Sequence, residues 1–264
     1  MNERTIATVS KFLLVTDLDS TLVGDNDALQ RLNSWFKQHR QTYGSKLVYA
    51  TGRSLKSYER LISHTALPEP DVLIASVGTE IYYPGNELDE NWSSLSSQNW
   101  DRASIAVVVE QFPQLVVQPG SEQRPFKLSF VLDEEDASVL SELEAQLIAQ
   151  GLEAELIYSH GHDLDIVPRK INKGSAVTYI RQALGFTAEQ TVVCGDSGND
   201  IALFAANQIG IIVGNARREL LQWHQDNFEG DAKQFPLRGD RYLAQAHYAA
   251  GIIEGLKYFG IMPA

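Results

Sequence analysis

Residues 15–25 read VTDLDSTLVGD, directly after the apolar run Phe12-Leu13-Leu14-Val15. Two carboxylates, Asp17 and Asp19, therefore stand one residue apart at the end of what reads as a buried strand. Like charges so close repel, and removing them from water is costly unless a partner neutralises them. Either they lie in an ordinary polar loop, or a cation and a reaction need them there. Residues i and i+2 of an extended chain point to the same side, so both carboxylates can face one pocket. Thr21 follows, but D-x-D-x-T-L taken alone is a pattern that loops also produce by chance.

Outward from this stretch, strand-like apolar runs alternate with segments of helical period. Runs at 12–15, 46–50 and 72–76 are separated by helical segments over 26–39 and 54–64. Runs at 191–194 and 209–213 accompany helical segments over 173–184, 199–206 and 216–223. Such alternation predicts an α/β fold, a parallel sheet covered on both faces. Functional residues in such sheets gather beyond the carboxyl ends of the strands, where Asp17, Thr51, Ser76 and Asp196 fall. Between about residues 86 and 169 the character changes. PFKLSFVL (125–132) and AELIYS (154–159) read as strands divided by an acidic amphipathic helix over 134–150, and DLDIVP (163–168) adds a strand closed by Pro168. This stretch, 86–169, reads as an inserted α+β domain, with 1–85 and 170–264 forming one discontinuous core. AHYAAGIIEGLKYFG (246–260) reads as a packed helix whose aromatics belong to the core.

The chain has 264 residues, 44% apolar and 21% charged, the composition of an ordinary soluble globular protein. A formal net charge of -12 argues against nucleic acid or an anionic membrane as partner. It also repels any phosphorylated substrate, so local cations must overcome that field. The single cysteine, Cys194, excludes an intrachain disulfide framework and a multi-cysteine metal site. Its TVVC setting suits a small buried hydrophobe. MNERTIATVSK (1–11) has no apolar core of signal-peptide length, and no run approaches ~18 apolar residues, so a cytoplasmic location is expected. Without a secretory signal, the acceptor pattern at 91–93 carries no meaning.

Three later stretches give the acidic pair a context. YATGRS (49–54) puts Thr51 at a strand end, with its hydroxyl and the Gly52 amide free to hold an anion. NKGSA (172–176) places Lys173 at a helix start, where the ammonium and the amino end of the helix add positive potential. VCGDSGND (193–200) ends a strand with Asp196 and Asp200, joined by a glycine-containing turn with Asn199 between them. Several carboxylates offering hard oxygen ligands suit Mg²⁺, which keeps waters and takes substrate phosphate. Each stretch alone admits a plain structural reading. In this order, each at a strand end or helix start, they point to one site.

The order D-x-D-x-T, T-G-R, K-G and G-D-S-x-N-D resembles the haloacid dehalogenase superfamily of aspartate-based phosphatases. The inserted middle looks like that superfamily's larger α/β cap. More narrowly, TDLDSTLVGD, YATGRS, SVGTEIY, DLDIVP and CGDSGNDIALF are similar to the sucrose-phosphate phosphatases. The resemblance implies that Asp17 is the nucleophile, forming an aspartyl-phosphate, and that Asp19 protonates the leaving sugar oxygen and then deprotonates water. It implies that Thr51 and Lys173 bind the phosphoryl oxygens. It further implies that Asp196, with Asp17 and the Asp19 carbonyl, holds Mg²⁺, with Asn199 and Asp200 completing the site. For Asp19 to carry a proton near neutrality, an apolar wall beside it is expected.

Between residues 87 and 169 there are only four basic residues against sixteen acidic ones. An enzyme gripping a second phosphate needs clustered arginines, so the distal part of the substrate is expected to be neutral and hydroxyl-rich. Gln123, Lys127, Asp163 and Asp165 offer groups suited to sugar hydroxyls, and Glu80 lies where core meets insert. His160 and His162 flank a glycine and read as a solvated hairpin rather than a metal pair. The expected activity is Mg²⁺-dependent hydrolysis of sucrose 6-phosphate. Mannosyl-phosphoglycerate or trehalose phosphate are alternative substrates, and a non-catalytic partner of a sucrose-phosphate synthase is a third reading.

Overall fold

The computed structural model describes residues 11–206, 209–228 and 240–263. The N-terminal segment considered above for targeting thus lies outside the described residues, apart from Lys11. The larger sheet has eight strands in the order β12-β11-β10-β1-β2-β3-β4-β5. At its centre are β1 (Leu13–Thr16), β2 (Lys46–Ala50), β3 (Val72–Ala75), β10 (Thr191–Gly195) and β11 (Ile209–Ile212), all parallel, with β12 (Asp240–Leu243) parallel at one edge. β4 (Glu80–Tyr83) and β5 (Glu87–Leu88) run antiparallel at the other edge.

The continuous apolar runs follow from burial on both faces. Leu14 packs with Leu32 and Phe36 of α1 (Asn26–Tyr43) and Ile252 and Leu256 of α9 (Tyr248–Tyr258). Its neighbours Leu13 and Val15 point the other way, into Val177 and Ile180 of α6 (Lys173–Ala183) and Phe204 of α7 (Ile201–Ala206). Helix α1 starts where the Asp25 carboxylate accepts from Ala28 N at 3.0 Å, and ends at Gly44, which takes the left-handed φ of 77°.

The second sheet has the order β6-β7-β9-β8, from β6 (Val116–Val117), β7 (Leu128–Val131), β8 (Ala154–Ser159) and β9 (Asp163–Pro168), all antiparallel. Helices α4 (Arg102–Val109) and α5 (Val139–Ala149) cover it with a separate core that includes Ile105, Leu143, Leu147, Phe130 and Leu164. The helix expected over 134–150 starts later: the acidic run Glu134–Asp136 forms a single 3₁₀ turn, and α5 begins at Val139. The insert also begins later than residue 86. Gly85 (φ 84°) and Asn86 (φ 62°) reverse the chain, so 87–88 pair back onto β4 of the large sheet. Trp92 of α3 (Glu90–Ser96) then packs into the core, its Nε1 donating to the Gly78 carbonyl at 2.9 Å.

Candidate active site

Asp17, Thr51, Ser76 and Asp196 all lie just past the carboxyl ends of neighbouring parallel strands. The ladder carries on to the first of them, since Asp17 N donates to the Cys194 carbonyl at 3.0 Å. At β3, Ser76 and Val77 take positive φ values of 53° and 55°, unusual for a β-branched residue. Their amides secure the neighbouring loop, Ser76 N donating to the Arg53 carbonyl at 2.8 Å and Val77 N to that of Thr51 at 3.0 Å.

Lys173 enters from the start of α6 and is fully buried. Its Nζ donates to Asp17 Oδ1 at 2.8 Å and to Asp200 Oδ1 at 2.7 Å. The glycine beside it explains the K-G pair: a Cβ on Gly174 would lie 2.1 Å from the Ala202 carbonyl oxygen, so only glycine lets α6 approach α7 this closely. Burial works against the Lys173 ammonium, but Asp17 and Asp200 outweigh it and hold the proton on. Asp200 is fully engaged, its Oδ2 accepting from Asp196 N at 2.9 Å and Ser197 N at 3.1 Å.

Asp17, Asp196 and Asp200 present carboxylate oxygens within 4.8 Å of one another, all buried. Burial, with Asp200, Asp196 and Asp19, pushes Asp17 well above the usual carboxylate range, although Lys173 opposes the shift. Burial and then the Asp200 charge push Asp196 up to about 7. One lysine thus leaves three acids under-compensated. Thr21 donates to Asp196 Oδ1 at 2.8 Å, but among the described residues buried Asp196 Oδ2 and Asn199 Oδ1 have no hydrogen-bond partner, His160 Nε2 lying 4.0 Å from Asp196 Oδ2. Orphaned hard oxygens on a cluster short of positive charge fit a divalent cation. The carboxylate of Asp19 stands outside this cluster, so a part for Asp19 in holding an ion falls to its main-chain carbonyl.

Above the cluster lies a cavity of about 330 Å³, lined from the core by Asp17, Asp19, Gly52, Arg53 and Asn199 and from the insert by Lys127, Asp163 and Asp165. Lys127 Nζ donates to Asp165 Oδ1 at 3.0 Å, which also accepts from Ser129 Oγ at 2.6 Å. Asp163 Oδ1 accepts from Gln118 Nε2 at 2.8 Å. Thr51 is buried beneath the cavity floor, its Oγ1 accepting from Arg53 N at 3.1 Å.

Several expectations are corrected here. No apolar wall stands beside Asp19: its side chain is 42% exposed, and Arg53 takes both its oxygens at 2.7 Å. Glu80 does not face the cavity, because Arg124 Nε and Ser76 Oγ hold its carboxylate at 2.9 and 3.1 Å. Gln123 is also turned away. Its amide braces β7 and the chain before it, donating to the Ser129 and Gln118 carbonyls and accepting from Ser129 N. The histidine hairpin is not simply solvated. His160 is half-buried and lines the cavity with His162, and burial lowers its pKa. The sequence reading missed Arg53, Gln118 and Arg217 as lining groups. Arg53 had a signal, a cation two residues after Thr51, whereas Gln118 sits in a featureless edge segment.

The family described as sucrose-6F-phosphate phosphohydrolase matches residues 10–260. The chain belongs to that family. A sucrose-phosphatase from Synechocystis, solved in complex with sucrose and phosphate, superposes on it with a TM-score of 0.85 and 38% identity, covering 95% of this chain and 98% of that one. Sucrose-phosphatase 2 of Nicotiana tabacum is 36% identical over 98% of this chain, which spans 61% of the tobacco protein's length. Mannosylfructose-phosphate phosphatase of Agrobacterium fabrum is 36% identical, with 95% of this chain and 98% of that one covered. The parallel core of this sucrose-6F-phosphate phosphohydrolase family member, with its inserted second sheet, has the haloacid dehalogenase fold. Among the described residues no helix is long and apolar enough to cross a membrane.

Proposed function

We propose that this chain hydrolyses sucrose 6-phosphate to sucrose and inorganic phosphate. One observation carries the reading: Lys173 joins Asp17 and Asp200 beneath a cavity whose opposite wall is the polar face of the insert. Family membership and the sucrose and phosphate bound by the Synechocystis relative support it. In this reading residues 1–85, with the strand at 87–88 and α3 that pack onto them, and residues 170–264 are the catalytic core, and the insert selects the sugar. Asp17 attacks phosphorus and becomes an aspartyl-phosphate, while the sugar oxygen leaves with a proton from Asp19. Asp19 then takes a proton from the water that opens the acyl phosphate. Arg53 holds both its oxygens, and each keeps a second acceptor position through which the proton can pass. Lys173, Thr51 and the Gly52 amide receive the phosphoryl oxygens, offsetting the field of a chain of net charge -12. Asp17, Asp196 and the Asp19 carbonyl would hold Mg²⁺, and Asn199 would complete the site. When bound, the ion supplies the positive charge that lets an anionic ester approach these acids.

On the insert, Lys127, Asp163 and Asp165 would bind sugar hydroxyls, whereas Gln123 and, from β4 of the core, Glu80 would act only as braces. A cytoplasmic location and association with a sucrose-phosphate synthase belong to the same reading, supported by the resemblance to that family. The Agrobacterium relative favours one second reading, a mannosylfructose phosphate as substrate. An inert domain would be expected to have lost an acid or the lysine, and all are retained.

Phosphate release from sucrose 6-phosphate, mannosylfructose phosphate, trehalose phosphate and mannosyl-phosphoglycerate, with Mg²⁺ or chelator, tests the proposal. Sucrose 6-phosphate is expected to give the highest kcat/KM, and only with metal. A preference for mannosylfructose phosphate would install the second reading, and no turnover of any would refute both.

A further inference from the structure

The insert meets the catalytic loop through one carboxylate that the mechanism above does not use. Glu219 lies in the first turn of α8 (Arg218–Phe228). Its Oε1 accepts the main-chain N–H of His160 at 2.8 Å, from the turn between β8 and β9. The same oxygen accepts the N–H of Gly198 at 3.4 Å, from the loop between Asp196 and Asp200. Two further contacts flank this one. Gly198 lies so close to the insert that a Cβ there would be 2.2 Å from the Tyr158 carbonyl oxygen. Asn199 Nδ2 reaches Ser159 Oγ at 3.4 Å. His160 itself takes a φ of 57°, a conformation that costs a non-glycine residue energy and persists only where its surroundings impose it.

We propose that Glu219 is a positioning residue, seating the 158–162 hairpin on the Asp196–Asp200 loop and so coupling closure of the cavity to binding of the phosphosugar. The inference rests on the phosphatase reading above. A carboxylate accepting main-chain N–H groups makes a charge-assisted bond, about twice as strong as a neutral one. The Gly198 contact lies within the core, whereas the His160 contact crosses to the insert and exists only when the hairpin is seated. Glu219 therefore interacts differently with the seated and unseated states, as a group must if it is to bias them. The hairpin carries His160 and His162 and leads into Asp163, so seating it builds the cavity wall opposite Asp17.

The test pairs Glu219→Ala with Glu219→Gln, whose amide oxygen still accepts an N–H without the charge. In Glu219→Ala, KM for the phosphosugar is expected to rise about tenfold, equivalent to ~1.4 kcal/mol of closed-state preference, with kcat changed by less than about twofold. Glu219→Gln is expected to fall between Ala and the parent, and it carries the test should the alanine variant not fold. By hydrogen exchange, a peptide spanning 157–164 should lose protection while one spanning β2 keeps it. An unchanged KM, or a loss confined to kcat with protection lost throughout, would overturn the proposal. If the parent protein turns over no phosphosugar, the functional reading fails, and the exchange measurement still decides whether Glu219 seats the hairpin.

Discussion

Arg53 grips Asp19 with two parallel bonds, Nε to Oδ2 and Nη2 to Oδ1, each 2.7 Å long. Arg53 Nη1 in turn donates to Ser57 Oγ at 3.1 Å, so the fork is anchored to α2 (Leu55–Ile62). The pair orients the group assigned to proton transfer while holding both its oxygens. Arg53→Lys keeps the charge and loses the fork. Misplacing a catalytic group by an ångström can cost ~10²-fold, so kcat is expected to fall roughly 10- to 100-fold with KM little changed. The pair is partly exposed, so the thermal midpoint should barely move. Steady-state kinetics and a melt decide this, and an unchanged kcat would remove Asp19 orientation from the account.

Asp17→Asn is expected to reduce phosphate release by on the order of 10³-fold or more, because an amide cannot form the covalent intermediate. The fold should survive, since the Asn oxygen can still accept from Lys173 and one buried like charge is gone. Melting in chelator should therefore show a midpoint at least equal to that of the parent. Substantial residual turnover would show that another group attacks phosphorus.

The acidic cluster makes stability depend on pH in a defined direction. Burial and Asp200 push Asp196 from 3.8 up to about 7. Between these values the folded protein holds a proton that the unfolded chain has lost, so this contribution to stability falls as pH rises through the window. A hard cation binds only the deprotonated cluster, so stabilisation by Mg²⁺ should grow over the same range. Melts with Mg²⁺ or chelator at pH 5.5 and pH 8 are expected to show a larger Mg²⁺ shift at the higher pH. Equal shifts, or a shift that survives Asp196→Asn, would place the ion elsewhere.

Cys194 is completely buried in the central strand β10, and burial pushes its thiol upward. It should therefore resist thiol reagents in the native state and react only after denaturation. Labelling of the native protein within minutes would contradict the packing of β10 beneath the site.

Much of the site was legible because its chemistry sits in short local patterns. Asp17, Thr51, Lys173, Asp196 and Asp200 each follow a strand or open a helix, and their residue types leave few alternatives together. The insert was less readable. β8 and β9 were visible through their alternating pattern, but α4 and the two-residue β6 carry little periodicity of their own. The start of the insert was misplaced because the turn at Gly85 and Asn86 returns 87–88 to a sheet edge that nothing in those two residues specifies.

Local order along the chain determined the α/β alternation, the buried runs on both faces of β1, and the acids and lysine available to a phosphate. Tertiary structure alone decided which polar groups remain free to act. Arg124, 44 residues on, makes Glu80 a brace, whereas Arg53, 34 residues on, orients Asp19 and leaves it part-exposed at the cavity. Hydrogen-bond partners are chosen by proximity in space once water is excluded. A side chain's chemistry can be read from its type, whereas its availability depends on neighbours that only folding supplies.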